Sequence, residues 1–287
     1  MKLKIDCVPC LFRQALTTTK KATNSLEIQR KVLMDVANLL PTLMSLPTPT
    51  HAGRIVHNLP KKYTKVYDPY KKDKEKHIEI AKKLYCELKK DVEKSSDPLS
   101  CAIKIAVAGN VIDFGRGEEF DPLKDVEETL NCEFKVFDYE EFKKCLNNVK
   151  VILYLGDNAG ETVFDRVLIE ELNRLGKKVL YVVKGVPVLN DATYDDAVKS
   201  GLNEVCEIIN SGCDAPGILL EYCSDSFKEL FFSSQLIISK GQGNFEALSE
   251  VKAPVFFLFK VKCQPVADET NLPLNSLVFK KSDNFSI

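Results

Sequence analysis

Beyond residue 150 the chain alternates unbroken aliphatic runs with helix-length amphipathic stretches, and few folds accept that pattern. Val151-Ile152-Leu153-Tyr154-Leu155 and Val179-Leu180-Tyr181-Val182-Val183 contain no charged residue. A strand covered by helices on both faces reads this way, whereas a strand with one wet face alternates apolar and polar positions. The pattern predicts strands at 151–155, 179–183, 204–209, 235–239 and 254–262. Helices are expected between them at about 160–175, 193–200, 216–231 and 244–250. Strands separated by helices imply a parallel sheet with right-handed crossovers.

The first hundred residues read as helical. Apolar residues recur at helical spacing over 10–19 and 26–40, and Pro41, Pro47 and Pro49 predict a loop. Residues 61–94 hold twelve lysines and seven acids around an intermittent apolar stripe from Ile78 to Leu88, which predicts an amphipathic helix with a solvated lysine face. Leu99 to Ile112 predicts a buried helix stopping at Phe114-Gly115-Arg116-Gly117, and 121–130 and 139–146 two more. The expected architecture is a doubly wound, Rossmann-like α/β/α parallel sheet over 98–287, with an N-terminal all-helical cap domain over 1–97.

Composition removes several partners. The formal net charge of −1 over 287 residues gives no electrostatic reason to expect nucleic acid or anionic lipid. The lysine run lacks the interleaved aromatics of single-strand binding. No apolar run reaches the roughly 20 residues of a membrane span, and the start lacks the apolar core of an export signal. A cytoplasmic protein is expected, and its ten cysteines are expected as reduced thiols. Cys7 and Cys10 form one CxxC without a second, which leaves them as candidate metal or redox ligands. Composition does not address homo-oligomerisation.

The chemistry sits where aliphatic runs end. The first run leads into Gly156-Asp157-Asn158-Ala159-Gly160-Glu161-Thr162, and the second through Lys184 to Asn190-Asp191-Ala192-Thr193. Each Asp–Asn pair also suits a helix N-cap. Open α/β sheets place ligands at the carboxyl ends of strands, so Asp157, Asn158 and Asp191 are expected to meet there. Two carboxylates and an amide carbonyl are hard donors for a divalent cation, and a cation relieves the repulsion between them. Ser239-Lys240-Gly241-Gln242-Gly243-Asn244 offers a lysine and free backbone N–H groups to a phosphate, outside any Walker spacing. Asn110 and Asp113, three apart, share one helical face. The candidate substrate-binding residues are Asn110, Asp113, Glu161, Gly241 and Asn244.

The CxxC, AGNVIDFG at 108–115, GDNAGE at 156–161, NDAT at 190–193 and KGQGNFEAL at 240–248 together resemble the metal-dependent damage-control phosphatases, the domain of unknown function 89 family. The likeness runs in order over nearly the whole chain and is nearest the CxxC subfamily of archaea and some bacteria. It implies a helical cap on a Rossmann-like domain and a divalent cation (Mn, Co, Ni or Mg). It also implies hydrolysis of phosphate esters on small, often damaged or side-product metabolites. Asp157, Asn158 and Asp191 match the metal ligands, and Lys240 matches the lysine near the substrate phosphate. Gln242-Gly243 departs from other subfamilies, where an Asp-Leu pair is usual.

The expected reaction is hydrolysis of a small phosphorylated metabolite, with Asp157, Asp191 and Lys240 carrying the catalysis. An aspartyl nucleophile of the haloacid-dehalogenase type has a second Asp two residues on. Ala159 occupies that position, which favours attack by water. Two other readings stand beside it. One is an S-adenosylmethionine-dependent carboxyl methyltransferase, which would leave Asp191 and Lys240 without roles. The other is a non-catalytic metal- or metabolite-binding protein, since fold alone does not fix function.

Overall fold

The computed structural model describes residues 1–111 and 128–285. Helices α1 (Cys7–Ala22), α2 (Leu26–Met44) and α3 (Pro49–Thr64) pack around Leu11, Ala15, Val32, Val36, Leu43, Ala52 and Val56. The loop expected at Pro41 does not form, because α2 runs through it to Met44. Pro41 lies in the last turn, where its missing N–H costs one bond, while burial of Val36 and Leu43 holds the helix on both sides. Pro49 opens α3, where its fixed φ is favourable.

The lysine-rich stretch is split. α3 ends at Lys65 in the left-handed region, and α4 (Lys71–Lys94) takes the remainder. Ile78, Ala81, Leu84, Leu88 and Val92 bury the stripe of α4 against α5 (Pro98–Val111) and the helix Thr162–Arg174. Lys74 does not belong to a solvated face, for it is buried on Asp68 and Asp196 at 2.8 and 2.7 Å. Asp113, the predicted end of that helix at 114–117 and most of the helix expected at 121–130 lie outside the described residues.

The remaining elements are β1 (Val136–Phe137), α6 (Tyr139–Asn147), β2 (Val151–Leu155), α7 (Thr162–Arg174), β3 (Lys178–Val183), α8 (Tyr194–Lys199) and β4 (Glu207–Asn210). They continue with α9 (Asp225–Ser233), β5 (Ile237–Lys240), α10 (Gln242–Leu248), β6 (Val255–Lys260), α11 (Gln264–Thr270) and β7 (Leu277–Lys281). The sheet order is β1-β7-β6-β5-β2-β3-β4. β2 to β6 run parallel, as expected, and β7 pairs antiparallel to β6. That antiparallel return is a departure from the all-parallel expectation, as is the loop over 211–219 where a helix was expected from 216.

Successive residues of each strand feed opposite cores. Ile152 and Tyr154 enter the layer with α4 to α7, while Leu153 and Leu155 enter the layer with Phe227, Phe231 and Phe245. Both faces are therefore dry, which is why the strands carry no polar alternation. Among the described residues no helix is long and apolar enough to cross a membrane.

Candidate active site at the sheet's switch point

β3 and β4 extend the sheet on one side of β2, and β5 and β6 on the other. Loops leaving β2 and β5 therefore diverge, and the crevice beyond their carboxyl ends is where such sheets bind ligands. Asp157 stands two residues past β2, and Lys240 closes β5. Backbone bonds bring in the loop after β3. Ala192 N donates to Asp157 O and Ala159 N donates to Asn190 O, both at 2.8 Å. The result is a short antiparallel bridge between Asn158 and Asp191.

The carboxylate of Asp157 rests on the backbone of Gly241. A Cβ at Gly241, whose φ is +83°, would stand 2.0 Å from Asp157 Oδ2, so this position requires glycine for both conformation and space. Asp157 Oδ2 accepts from Asn110 Nδ2 at 3.2 Å and Asn158 Nδ2 at 3.1 Å. The same two amides donate to Glu161 Oε1 at 2.8 and 2.6 Å. With Nδ2 of Asn158 engaged in this way, its Oδ1 is the atom left to meet a cation.

Lys240 does not stand open to a phosphate. Its buried ammonium lies 3.0 Å from Glu161 Oε2 and 2.6 Å from Asp165 Oδ1. Those two acids sit one helical turn apart at the start of α7 and capture it. Tyr154 and Tyr181 face each other in the β2–β3 register, their rings stacked at 5.3 Å. Their hydroxyls donate to the two oxygens of Asp165 at 2.8 and 2.7 Å.

Asp191 is different. Its Oδ2 lies 3.5 Å from Lys184 Nζ, both groups are buried, and neither atom makes a hydrogen bond among the described residues. Burial, then the charges of Glu161 and Asp191, hold the Asp157 carboxyl well above its usual range. Burial pushes Asp191 up to about 6, with Lys184 pulling it back. Burial acts upward on Glu161 too, but Lys240 and Lys262 outweigh it and Glu161 lies below its usual value. The site thus holds carboxylates that water no longer stabilises and that the protein's own donors stabilise unequally.

The other expected residues fall as follows. Asn110 faces the acids, and its Oδ1 accepts from Lys260 N at 3.4 Å. The side chain of Asn244 is taken up by backbone: Nδ2 donates to Lys240 O and Gly156 O at 2.8 and 3.2 Å, and Oδ1 accepts from Ile218 N at 2.9 Å. Cys7 and Cys10 lie in the first turn of α1, where Cys263 and Glu246 act on their thiols. Asp165, Lys184, Tyr154 and Tyr181 escaped the sequence reading. A signal existed for the tyrosines, since each interrupts an aliphatic strand at a matching position.

The donors fit a divalent cation. Asp157, Asp191 and the Asn158 carbonyl are hard oxygens, and Asp191 Oδ2 is a buried acceptor with no hydrogen bond among the described residues. Among the described residues no three His, Cys, Asp or Glu side chains form a ready ion cage. The candidate set is instead two carboxylates with an amide.

Known proteins share this arrangement of elements. The family described as the damage-control phosphatase ARMT1-like domain matches residues 3–278. An uncharacterized protein of Methanocaldococcus jannaschii is 36% identical, over 98% of this chain and 96% of its own. Damage-control phosphatases of Pyrococcus horikoshii and Archaeoglobus fulgidus are 33% and 32% identical, each over at least 97% of both chains. The crystal structure of the Pyrococcus horikoshii domain-of-unknown-function-89 protein superposes with a TM-score of 0.91, covering 99% of this chain and 100% of that one at 33% identity. Sequence, order of elements and overall shape agree over the full length: this chain belongs to the damage-control phosphatase ARMT1-like family.

Proposed function

We propose that the chain is a metal-dependent phosphatase acting on phosphomonoesters of small, damaged or side-product metabolites. The observation that carries this is the pair Asp157 and Asp191. Both are buried at the switch point and displaced upward in pKa, and Asp191 Oδ2 accepts no hydrogen bond among the described residues. The names of the Pyrococcus and Archaeoglobus relatives support the same reading.

Asp157, Asp191 and Asn158 Oδ1 would hold the cation. When bound, it would supply a Lewis acid to a phosphoryl oxygen and to the attacking water. The chain's own work is positioning. Asn110 and Asn158 each bridge Asp157 and Glu161. Lys240 keeps Glu161 charged, and the two tyrosines keep Asp165 in place beneath it. The methyltransferase reading gives no work to Asp191 or its neighbouring lysine.

The test is a panel of phosphomonoesters assayed with Mn, Co, Ni or Mg ions. Asp157→Asn and Asp191→Asn should each lower kcat/KM by on the order of 10³-fold, the scale of losing a main charge-stabilising group. Full turnover in both variants would remove the assignment.

A further inference from the structure

The two lysines of the site differ in what they hold. An ammonium has three donors. Lys240 places its ammonium on two carboxylates at 2.6 and 3.0 Å. Lys184 is 2% exposed, and its Nζ makes no hydrogen bond among the described residues; its only charged neighbour there within 4 Å is Asp191 Oδ2, at 3.5 Å. A buried ammonium with unused donors is destabilising unless an acceptor meets it.

The group cannot simply swing out to water with its loop. Lys184 N donates to Ala192 O at 3.0 Å and Gly185 N to Cys213 O at 2.9 Å. A Cβ on Gly185 would stand 2.6 Å from the Gly212 carbonyl carbon, so the loop is packed against its neighbour. From above, Lys61 of α3 donates to Pro187 O in the same loop. Its ammonium stands 3.5 Å from Asp191, one of the candidate ligands of the cation, and its charge also acts on Asp157.

We propose that Lys184 is an anion-binding residue of this site, its ammonium receiving a phosphoryl oxygen of the substrate and of the product phosphate. This rests on the phosphatase reading and adds to it a second lysine that the sequence motifs did not single out. A phosphoryl oxygen on Lys184 would relieve the unmet donors of Nζ, and Asp191 would remain to hold the cation. Lys240, with two donors committed, keeps the acids in place.

The experiment measures inorganic phosphate binding to the cation-loaded protein by calorimetry, together with KM, kcat and cation affinity, for the native chain, Lys184→Met and Lys184→Gln. Loss of one charge-assisted hydrogen bond predicts that orthophosphate binds at least about tenfold more weakly to both variants. KM should rise by a similar factor, and cation affinity should not fall. If Lys184 only screened Asp191, or were met by a buried water, cation affinity would rise and orthophosphate affinity would stay put. That outcome overturns the proposal, as does a native protein that binds no orthophosphate. Should Lys184→Met fail to fold, Lys184→Gln, which retains a donor for Asp191, decides the matter. The phosphatase reading fails separately, if no phosphomonoester is turned over while orthophosphate binding still depends on Lys184.

Discussion

Two buried ionic clusters in this molecule contain the same ingredients and end differently. Between α4, the loop before it and α8, Lys74 joins Asp68 and Asp196. At the switch point, Lys240 pairs with Glu161 and Asp165, Lys184 with Asp191, and Asp157 shares the amides of Asn110 and Asn158 with Glu161. Both hold two acids per lysine, so the count of charges does not distinguish them. The donors do. Asp196 Oδ2 also accepts from Thr193 N and Oγ1 at the start of α8, and Asp68 Oδ1 accepts from Tyr70 N. Among the described residues no member of that brace is left with a buried atom lacking a hydrogen bond, whereas Lys184 Nζ and Asp191 Oδ2 make none. A cluster that only joins elements can be completed by the chain itself, and one that must take a ligand is left incomplete.

Removing the lysine tests each side of this contrast. Lys240→Met leaves Glu161 and Asp165 buried together, and Lys74→Met does the same to Asp68 and Asp196. Each should cost about 3–5 kcal/mol of unfolding free energy, the scale for stripping one partner from a buried ion pair. Denaturant titration reads that loss. Turnover then separates them, because under the proposed function folded Lys74→Met should keep its kcat for phosphomonoesters while Lys240→Met should not. A Lys74→Met protein that is folded yet inactive would break the comparison.

A smaller effect comes from two glycines that share a positive φ. Gly241 and Gly176 have φ of +83° and +75°, but an added Cβ meets the Asp157 carboxylate at the first and nothing within 4 Å at the second. Gly176→Ala should cost only the left-handed strain, roughly 1–2 kcal/mol. Gly241→Ala should cost at least that and also weaken cation binding, by displacing Asp157. Equal cation affinity in the two variants would show that the contact with Gly241 does not position the carboxylate.

The sequence revealed what depends on near neighbours. The strands of the central sheet were legible because burial on both faces leaves continuous aliphatic runs. Asp157, Asn158 and Asp191 were legible because a strand's carboxyl end fixes where the next residues stand. What failed depends on distant partners. Nothing local marks Lys74 among twelve lysines over 61–94, since its partner Asp196 is 122 residues away. The placement of Lys240 follows from Glu161 and Asp165, which come from another loop and helix. The antiparallel β7 was missed because Leu277–Lys281 ends in two lysines and follows a turn rather than a helix. Pro41 misled because a proline signals an interruption, while burial at Val36 and Leu43 decides whether the helix stops.

The last contrast is the faintest and lies between the complete and incomplete cases. Glu246 on α10 has one amide partner, Gln242 Nε2 at 2.9 Å. Burial raises its carboxyl to about 7 from a usual 4.5, with the Gln242 bond and the N-terminal ammonium pulling back. The folded chain therefore holds this proton more tightly than the unfolded chain does. The stability it contributes is fully present below pH 4.5 and is lost as pH rises through about 7. Other raised carboxyls act in the same direction, so the absolute slope assigns nothing. The difference between variants does. Glu246→Gln removes this proton from the balance, and its urea midpoint should fall less than that of the native chain between pH 5 and pH 8. Parallel midpoints would mean that Glu246 ionises without cost, and that one amide donor is enough to complete a half-buried carboxylate.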